Sequence, residues 1–230
     1  MSPLCDSRPV RVLGVSASCR SGSATTAAVR IVLDAAKDCG AEVNHLELSI
    51  LDLPFCNGDK SEPWPTRPGV RTLREAMRTA DAAVLATPEY HGGMSGMLKN
   101  ALDLLDFEHT EGKVFAGISA LGGRPNSNAL NDLRNVARWL RAWMLVDQVA
   151  IPAGRTAFVA GHPRDPDVLQ RLTDLAASLV RHTALLRGLD PAPARPGSLF
   201  RTAKCGVDDL AIVEAAMHTP PSARRAGRTA

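Results

Sequence analysis

The sequence predicts an α/β fold built on a doubly wound, five-stranded parallel sheet with helices on both faces. Two observations support this prediction. Five short apolar runs of the kind that form buried strands alternate with five segments whose apolar residues recur at helical spacing. Three of the predicted strands also lead into loops rich in glycine or hydroxyl side chains. Such alternation gives right-handed crossovers and a sheet covered on both faces.

The first predicted strand, residues 10–15, leads into a hydroxyl-rich loop at residues 16–26. Apolar residues at helical spacing then continue to Gly40, a suitable helix stop. The loop therefore feeds a helix N-terminus, where unpaired N–H groups and the helix dipole favour an anion. Simple capping of the helix by Ser23 or Thr25 is the alternative interpretation.

A long loop follows the second predicted strand. The strand spans residues 42–48, and residues 49–69 form a stretch rich in Pro, Gly and Asp that carries Phe55 and Trp64. Loops of this length in compact domains are usually functional or disordered. We expect this loop near the mouth of a ligand site, ahead of a helix at residues 73–80.

The third predicted strand opens onto the most informative stretch of the chain. Residues 82–87 are apolar, the chain then turns through Pro88, Gly92 and Gly93, and helical spacing resumes over residues 97–105. The pattern predicts a strand, an open loop and a helix. In α/β sheets such loops leave the carboxyl ends of strands, where ligands bind at a topological switch point.

The remaining alternation predicts a fourth strand at residues 113–120, a glycine-bearing loop at 121–127 and a long helix at 128–145. The helix carries Trp139 and Trp143, four residues apart. The two tryptophans either pack in the protein's own core or form a subunit interface, where Trp and Arg are enriched. Two elements complete the alternation, namely a fifth strand at 146–151 and a last helix at 167–189.

The chain is expected to contain one domain, residues 1–189, and a partly disordered C-terminal extension, residues 190–230. The extension begins with a Pro-rich stretch and ends with three arginines and no acid in its last twelve residues. These arginines account for the whole net charge of +3. The chain that precedes these twelve residues is therefore neutral overall, which argues against a nucleic-acid surface.

The cysteines and histidines predict neither a disulfide framework nor a metal site. The five cysteines form no C-x-x-C pair, and the six histidines show no ligand spacing. Free thiols suggest a reducing compartment. The sequence also has no apolar leader and no run long enough to span a bilayer. We therefore expect a cytoplasmic protein with no membrane partner.

Two loops resemble the NADPH-dependent FMN reductase family of flavodoxin-like flavoproteins. The resemblance covers about residues 10–185, and the loops contain neither of the common glycine-rich nucleotide motifs. One motif is Ser-Cys-Arg at residues 18–20 with Ser23 and Thr25, and the more specific one runs from Pro88 to Ala101. The resemblance implies a flavodoxin-like fold that binds FMN and takes a hydride from NADPH or NADH.

The resemblance also implies which residues bind FMN. Hydroxyl and guanidinium groups of the first loop would hold the phosphate, namely Ser16, Ser18, Arg20, Ser23 and Thr25. The second loop would line the isoalloxazine ring with Pro88, Glu89, Tyr90, His91 and Gly92. The third loop would approach the ring with Gly122, Gly123 and Arg124. Lys99 and Asn100 match the same motif and are expected to fix the loop or a subunit contact.

The sequence departs from the family pattern at two positions of the second loop. The family usually has Asn where this chain has His91, and Pro where it has Ser95. A histidine donates or accepts one hydrogen bond at each ring nitrogen and cannot copy the paired pattern of an amide. The contact of this loop with the flavin edge is therefore expected to differ from the family's.

The resemblance implies that the chemistry takes place on the cofactor, so no catalytic side chain is predicted. The first hypothesis is a homodimeric or homotetrameric flavin reductase that supplies reduced FMN to a partner monooxygenase. The second is an enzyme that retains FMN and reduces quinones, azo or nitro compounds, or dehydrogenates a biosynthetic intermediate. The third is an electron carrier of the flavodoxin type, against which the neutral chain before residue 219 and the single tyrosine argue.

Overall fold

The computed structural model describes residues 8–58, 67–123 and 128–188. The strands in these ranges are β1 (Arg11–Ser16), β2 (Glu42–Glu47), β3 (Ala82–Tyr90), β4 (Gly93–Met94), β5 (Val114–Ala120), β6 (Trp143–Ile151), β7 (Phe158–Val159) and β8 (His162–Pro163). The helices are α1 (Ala24–Asp38), α2 (Pro68–Thr79), α3 (Gly96–Asp103), α4 (Phe107–Thr110), α5 (Asn128–Trp139) and α6 (Pro166–Gly188). A short 3-10 turn, Leu48–Ile50, follows β2.

Five parallel strands form the central sheet in the order β2, β1, β3, β5, β6. The chain moves outward from β1 to β2 and then crosses back to β3 on the other side of β1. The order therefore reverses between β1 and β3, and the crevice at their carboxyl ends is the topological switch point. The prediction of a doubly wound five-stranded parallel sheet is confirmed.

The two faces of the sheet carry separate apolar cores. Val12, Val84 and Ile118 belong to one core, which α1 and α6 cover. Leu13 and Leu85 point to the opposite face, which α2, α3 and α5 cover. Because both faces are covered, the central strands are apolar almost throughout, as the sequence indicated.

The packing of α1 against β1 depends on one glycine. A Cβ atom built at Gly14 would lie 2.5 Å from Cγ1 of Val29 and 2.8 Å from Cδ1 of Leu33. The absence of a side chain at Gly14 therefore lets α1 lie close to the sheet. This close approach fixes the N-terminus of α1 beside the switch point.

The prediction of an open loop after the third strand is wrong. Strand β3 continues to Tyr90 and pairs with the antiparallel β4, with Glu89 opposite Met94 and Tyr90 opposite Gly93. The connecting residues His91 and Gly92 both have positive φ, at 52° and 79°. Two consecutive positive φ values match the twist of a hairpin. The stretch is therefore a β-hairpin that projects beyond the sheet.

The predicted helix at residues 128–145 is too long. Helix α5 ends at Trp139, Arg141 takes a left-handed conformation at φ 59°, and the Trp143 N–H donates to the Lys113 carbonyl at 2.8 Å to begin β6. Leu140 and Met144 continue the helical period in sequence without belonging to the helix. Trp139 and Trp143 are 70% and 60% exposed. Their packing into the protein's own core is therefore excluded, and an interface role stays a prediction.

Several expectations lie outside the described residues. They concern Trp64, Arg124 and the extension at residues 190–230. Among the helices in the described ranges, not one combines the length and apolar character that a membrane span requires.

The amino-terminal edge of the sheet is held by Asp81, whose side chain is 10% exposed. Both of its carboxylate oxygens accept a bond from Arg8 at 2.7 Å, and one also accepts from the Arg11 backbone N–H at 2.8 Å. A guanidinium nitrogen of Arg187, at the end of α6, lies 3.5 Å from the same carboxylate. Burial alone would raise the pKa of Asp81, but these bonds and positive charges lower it below its usual value. We call this group of residues the Asp81 clasp.

Candidate functional site

Residues from three loops surround one cavity at the carboxyl ends of the central strands. The cavity has a volume of about 260 Å³. Its position is the switch point between β1 and β3, extended toward β5. The lining residues are Ser18, Arg20, Ser23, Ala24, Thr25, Pro88, Glu89, Tyr90, Ala120, Leu121, Gly122, Gly154 and Arg155. We call this space the first cavity.

The first loop, residues 17–23, delivers hydroxyl groups and a helix N-terminus to the first cavity. Ser23 caps α1, because its Oγ accepts a bond from the Thr26 N–H at 3.1 Å. Ser18 Oγ accepts from the Arg20 N–H at 3.3 Å and shapes the turn. The capping that the sequence allowed as an alternative is thus present. A cap uses only part of the donor capacity of a helix N-terminus, so it is compatible with an anion at the same place.

Arg20 crosses from the first loop to the turn that follows β6. Its guanidinium donates to the Gly154 carbonyl at 3.4 Å, and the Gly154 N–H donates to the Leu121 carbonyl at 2.8 Å. Arg155 follows directly and lines the first cavity. Sequence reasoning missed Gly154 and Arg155, although a segment that follows a parallel strand must emerge at this same edge. Two cationic side chains therefore border the first loop.

The hairpin and the first loop are joined through Ser95. Its Oγ accepts a bond from the Leu98 N–H at 3.2 Å as the cap of α3, and donates to the Ala17 carbonyl at 3.2 Å. The Ser95 N–H donates to Thr87 Oγ1 at 2.9 Å. A proline, which the family usually has here, offers neither this N–H nor a hydroxyl. The serine therefore binds the base of the hairpin, α3 and the first loop into one unit.

Replacing Ser95 with alanine is expected to lower the free energy of unfolding by about 1–2 kcal/mol, because the variant loses a helix cap and a buried hydrogen bond. Thermal unfolding followed by circular dichroism should show a fall in Tm of about 2–8 °C for a domain of this size. Ser49→Ala is the matched control, since Ser49 is exposed. Equal melting of both variants and the wild type would show that the Ser95 bonds contribute nothing to stability.

The hairpin also contacts the N-terminus of α5. Glu89 Oε2 accepts a bond from the Ala129 N–H at 3.3 Å. Tyr90 lines the first cavity and is 58% exposed. His91 and Gly92 form the exposed hairpin turn and do not line the first cavity. The carboxylate of Glu89 therefore orients the hairpin, while the side chain of Tyr90 is largely exposed.

Two other residues expected at the site lie apart from the first cavity. Ser16 is buried in β1, and its Oγ lies 3.1 Å from His45 Nε2 on β2. Gly123 is exposed in the third loop but does not line the first cavity, in contrast to Gly122. The hydroxyl of Ser16 is thus engaged with the neighbouring strand.

Asn100 fixes the loop that follows β2. Its amide nitrogen donates to the Pro54 carbonyl, and its amide oxygen accepts from the Cys56 N–H, each at 2.9 Å. Lys99 forms an ion pair with Asp103 at 2.7 Å one turn along α3. Asn100 thus fixes a different loop from the one expected, and a role in a subunit contact stays a prediction. Among the described residues of the loop at 49–69, none lines the first cavity.

The described residues suit a flat ligand with a terminal phosphate. Hydroxyl groups, a helix N-terminus and Arg20 form the anionic end, and Pro88, Tyr90 and Gly122 border the other end. Within the described ranges, no group of three His, Cys, Asp or Glu side chains lies close enough together to hold a metal ion. The chemistry that this arrangement supports is therefore the binding and orientation of an anionic planar cofactor.

The family described as NADPH-dependent FMN reductase matches residues 10–156 of the chain. The chain belongs to this family. A relative with the same description is ArsH of Shigella flexneri, which is 31% identical over 188 residues, covering 79% of this chain and 72% of that protein. A probable NADPH:quinone oxidoreductase 2 of Oryza sativa is 30% identical over an alignment that covers 79% of this chain and 92% of that protein. An NADPH azoreductase of a Bacillus species is 41% identical over 88 residues, or 38% of this chain and 48% of that protein.

Solved structures confirm the flavodoxin-like fold of this FMN reductase family member. FerB of Paracoccus denitrificans, described as an NAD(P)H:(acceptor) oxidoreductase, aligns with a TM-score of 0.63 at 24% identity, covering 76% of this chain and 97% of that one. A flavodoxin from the domain Archaea aligns with a TM-score of 0.54 at 14% identity, covering 76% and 99%. At these identities the likeness shows the fold.

As a member of the FMN reductase family, the protein is an FMN-dependent NAD(P)H oxidoreductase. FMN is its cofactor, and a reduced nicotinamide nucleotide is the hydride donor. The composition of the first cavity fits this cofactor, since hydroxyl and guanidinium groups lie at one end and a hairpin at the other. The electron-carrier hypothesis is therefore set aside in favour of an enzyme.

Proposed function

We propose that the protein is a flavin reductase that uses NAD(P)H to reduce FMN and delivers the reduced flavin to a partner monooxygenase. The supporting observation is the open side of the site, where Tyr90 lines the first cavity and is 58% exposed. A flavin that is bound beside this exposed side chain stays accessible, which favours exchange of the flavin over permanent retention.

In this proposal the first loop and the first turn of α1 hold the FMN phosphate through Ser18, Arg20, Ser23 and Thr25. The hairpin residues Pro88, Glu89 and Tyr90 line the isoalloxazine ring, and the third loop approaches it through Gly122. The remaining expected contacts are Ser16, His91, Gly92, Gly123 and Arg124. Arg155 joins the set as a second cation near the phosphate, because it lines the same cavity.

Bound FMN supplies the hydride acceptance and the onward transfer of electrons. The side chains of this chain bind and orient the cofactor. Ser95 and Glu89 keep the hairpin in register with the first loop and with α5 through the bonds described above. Tyr90, at 58% exposure, leaves one side of the site open for the nicotinamide. The protein therefore contributes position and electrostatics.

The test combines spectroscopy and turnover on the purified protein. We expect a flavin absorption spectrum after FMN is added, FMN-dependent oxidation of NADPH, and loss of FMN during gel filtration. Absence of both binding and oxidation would contradict the function itself. Retention of FMN through gel filtration would contradict the supply of free reduced flavin.

A second candidate keeps FMN bound and reduces a quinone, azo or nitro compound. It is favoured by the activities for which relatives are named, since these relatives include azoreductases and a probable quinone oxidoreductase. Ping-pong kinetics with a quinone, at a rate that added FMN does not change, would support this candidate over the first.

We also propose a homodimer or homotetramer, in which the exposed Trp139 and Trp143 form part of an interface. The free thiols Cys19, Cys39 and Cys56 support a reducing, cytoplasmic compartment.

The boundary between the flavin-binding domain and the extension is proposed at residue 189.

A further inference from the structure

A chain of three contacts joins the start of the first loop to α1. Ser16, the last residue of β1, is buried, and its Oγ lies 3.1 Å from Nε2 of His45 on β2. The other ring nitrogen, Nδ1, lies 4.0 Å from Oε1 of Glu47. The same carboxylate oxygen accepts a bond from Arg30 of α1 at 3.0 Å. We call these four residues the His45 network.

The His45 network acts at the point where the first loop leaves the sheet. The backbone of Ala17 is fixed there, since its N–H donates to the Ala86 carbonyl at 3.0 Å and its carbonyl accepts from Ser95 Oγ at 3.2 Å. The contact between Ser16 and His45 ties the preceding residue to β2. The residues proposed to bind the phosphate follow within the next few positions. These bonds therefore determine where the phosphate-binding part of the loop begins.

Glu47 determines which nitrogen of the neutral His45 ring carries the proton. A carboxylate beside Nδ1 favours the tautomer with hydrogen on that nitrogen, and Nε2 then accepts a bond from the Ser16 hydroxyl. A serine hydroxyl can both donate and accept. After the ring takes up a second proton, Nε2 can therefore donate to Ser16 Oγ instead. The contact persists in both states, and only the charge beside the first loop changes.

Burial and two neighbouring charges set the charge state of His45. Burial lowers the pKa of its imidazole below the ordinary value, Glu47 opposes this change, and Arg30 adds to it. The ring is therefore mostly neutral at neutral pH in the flavin-free protein. A negative charge that enters the first loop favours the protonated ring, because it acts in the same direction as Glu47 and against Arg30.

Helices α1 and α2 and strand β1 pack against β2, which carries His45. On α1, Asp34 is already paired with Lys37 at 3.4 Å. Strand β1 contributes the neutral hydroxyl of Ser16. Helix α2 covers the opposite face of β2, where Leu46 is buried. Within the described part of the chain, the charged members of the His45 network are therefore the charges that act on the ring.

We propose that His45 is a proton-linked positioning residue for the flavin phosphate, which holds the start of the first loop through Ser16 and takes up a proton more readily once the phosphate is bound. This inference rests on the placement of the FMN phosphate in the first loop under the proposed function. A phosphate monoester carries a charge of about −1.5 to −2 at neutral pH, and such a charge stabilises a nearby imidazolium. Because linkage is reciprocal, protonation of His45 strengthens phosphate binding by the same factor.

The first experiment follows the imidazole signals of the full chain by NMR between about pH 5 and pH 8. The His45 signal is assigned by its absence in His45→Gln. Saturation with FMN should raise the pKa of His45 by about 0.5 to 1 pH unit. Saturation with riboflavin, which lacks the phosphate, should leave it unchanged. His182 is the internal control, because it lies on α6 beside the Ser178 carbonyl, at 2.8 Å.

The second experiment measures FMN affinity by isothermal titration at both ends of this pH range. His45→Gln keeps a side chain that can bond to Ser16 but cannot take up a proton. Its Kd for FMN should exceed the wild-type value by about threefold to tenfold near pH 5 and match it near pH 8. Ser16→Ala removes the tie and should raise the Kd for FMN by about threefold at both pH values, without changing the Kd for riboflavin. His182→Gln is the matched control and should bind FMN as the wild type does.

The phosphate of FMN also titrates in this range, but it does so equally for every variant, so the ratios of the Kd values report on His45. If FMN binds and the pKa of His45 stays the same, or if riboflavin raises it equally, the inference is wrong and the proposed function stands. Equal FMN affinities of His45→Gln and wild type near pH 5 would also overturn it. A wild-type protein that binds neither flavin would overturn the inference together with the flavin site.

Discussion

Replacing Arg20 with alanine is expected to weaken FMN binding by about thirtyfold. Arg20 lines the first cavity beside Ser18 and Ser23, and its long 3.4 Å bond to the Gly154 carbonyl leaves the guanidinium near the first loop. A charge-assisted hydrogen bond to phosphate contributes about 2 kcal/mol. Since each 1.4 kcal/mol changes a binding constant about tenfold, the Kd rises by the stated factor. Isothermal titration with FMN measures it.

Riboflavin, which lacks the phosphate, gives the sharpest control for Arg20. Its weaker binding should be the same in the wild type and in Arg20→Ala. Arg20→Lys keeps the charge without the planar fork and should recover part of the FMN affinity. If Arg20→Ala weakens riboflavin and FMN by the same factor, Arg20 does not act through the phosphate.

Replacing Asp81 with asparagine is expected to reduce the free energy of unfolding by about 3 kcal/mol. Removing one partner of a buried ion pair usually costs about 3–5 kcal/mol, and the 42% exposure of the Arg8 and Arg11 side chains places the expected cost at the lower end of that range. Here the carboxylate meets the guanidinium groups of Arg8, Arg11 and Arg187. For a domain of this size the Tm should fall by about 10 °C. Denaturant titration and thermal melts at neutral pH measure both quantities.

The pH dependence of folding stability distinguishes the contribution of the Asp81 charge from the contribution of its packing. Because its pKa is lowered in the folded protein, the carboxylate stabilises fully above its unfolded pKa, and this contribution is lost as pH falls through the folded value. The stability difference between wild type and Asp81→Asn should therefore shrink in acid. Asp34→Asn is the control, since its side chain is 74% exposed and its ion pair contributes less than about 0.5 kcal/mol. If the stability difference between wild type and Asp81→Asn stays constant with pH, packing and not charge explains the lower stability of the variant.

The alternation of strands and helices was predictable because it depends on local apolar periodicity. The hairpin was not, since the pairing of Glu89 with Met94 lies within a stretch whose Pro and Gly residues read as loop. The end of α5 was also missed, because Leu140 and Met144 extend the helical period and Arg141 takes a left-handed conformation that usually requires glycine. Both errors occur where the neighbouring strands decide the conformation.

The candidate site was predictable to the extent that it lies in loops that directly follow strands with recognisable motifs. Arg20, Ser23 and Tyr90 are of this kind and line the first cavity. Arg155 carries no motif and reaches the first cavity only through the path of the chain after β6. Ser16 was predicted to bind the phosphate because it is adjacent to the first loop in sequence. In the structure its hydroxyl lies beside His45 on the adjacent strand instead.

The Asp81 clasp has a consequence for how this chain can change. It joins the start of β1, the start of β3 and the end of α6 at the amino-terminal edge of the sheet, whereas the first cavity opens at the carboxyl-terminal edge. The residues that stabilise the fold through Asp81 and the residues that select the ligand thus lie at opposite ends of the same strands. Substitutions in the loops around the cofactor do not alter the contacts of Asp81. The domain can therefore acquire new substrate specificities without losing the stability that these contacts provide.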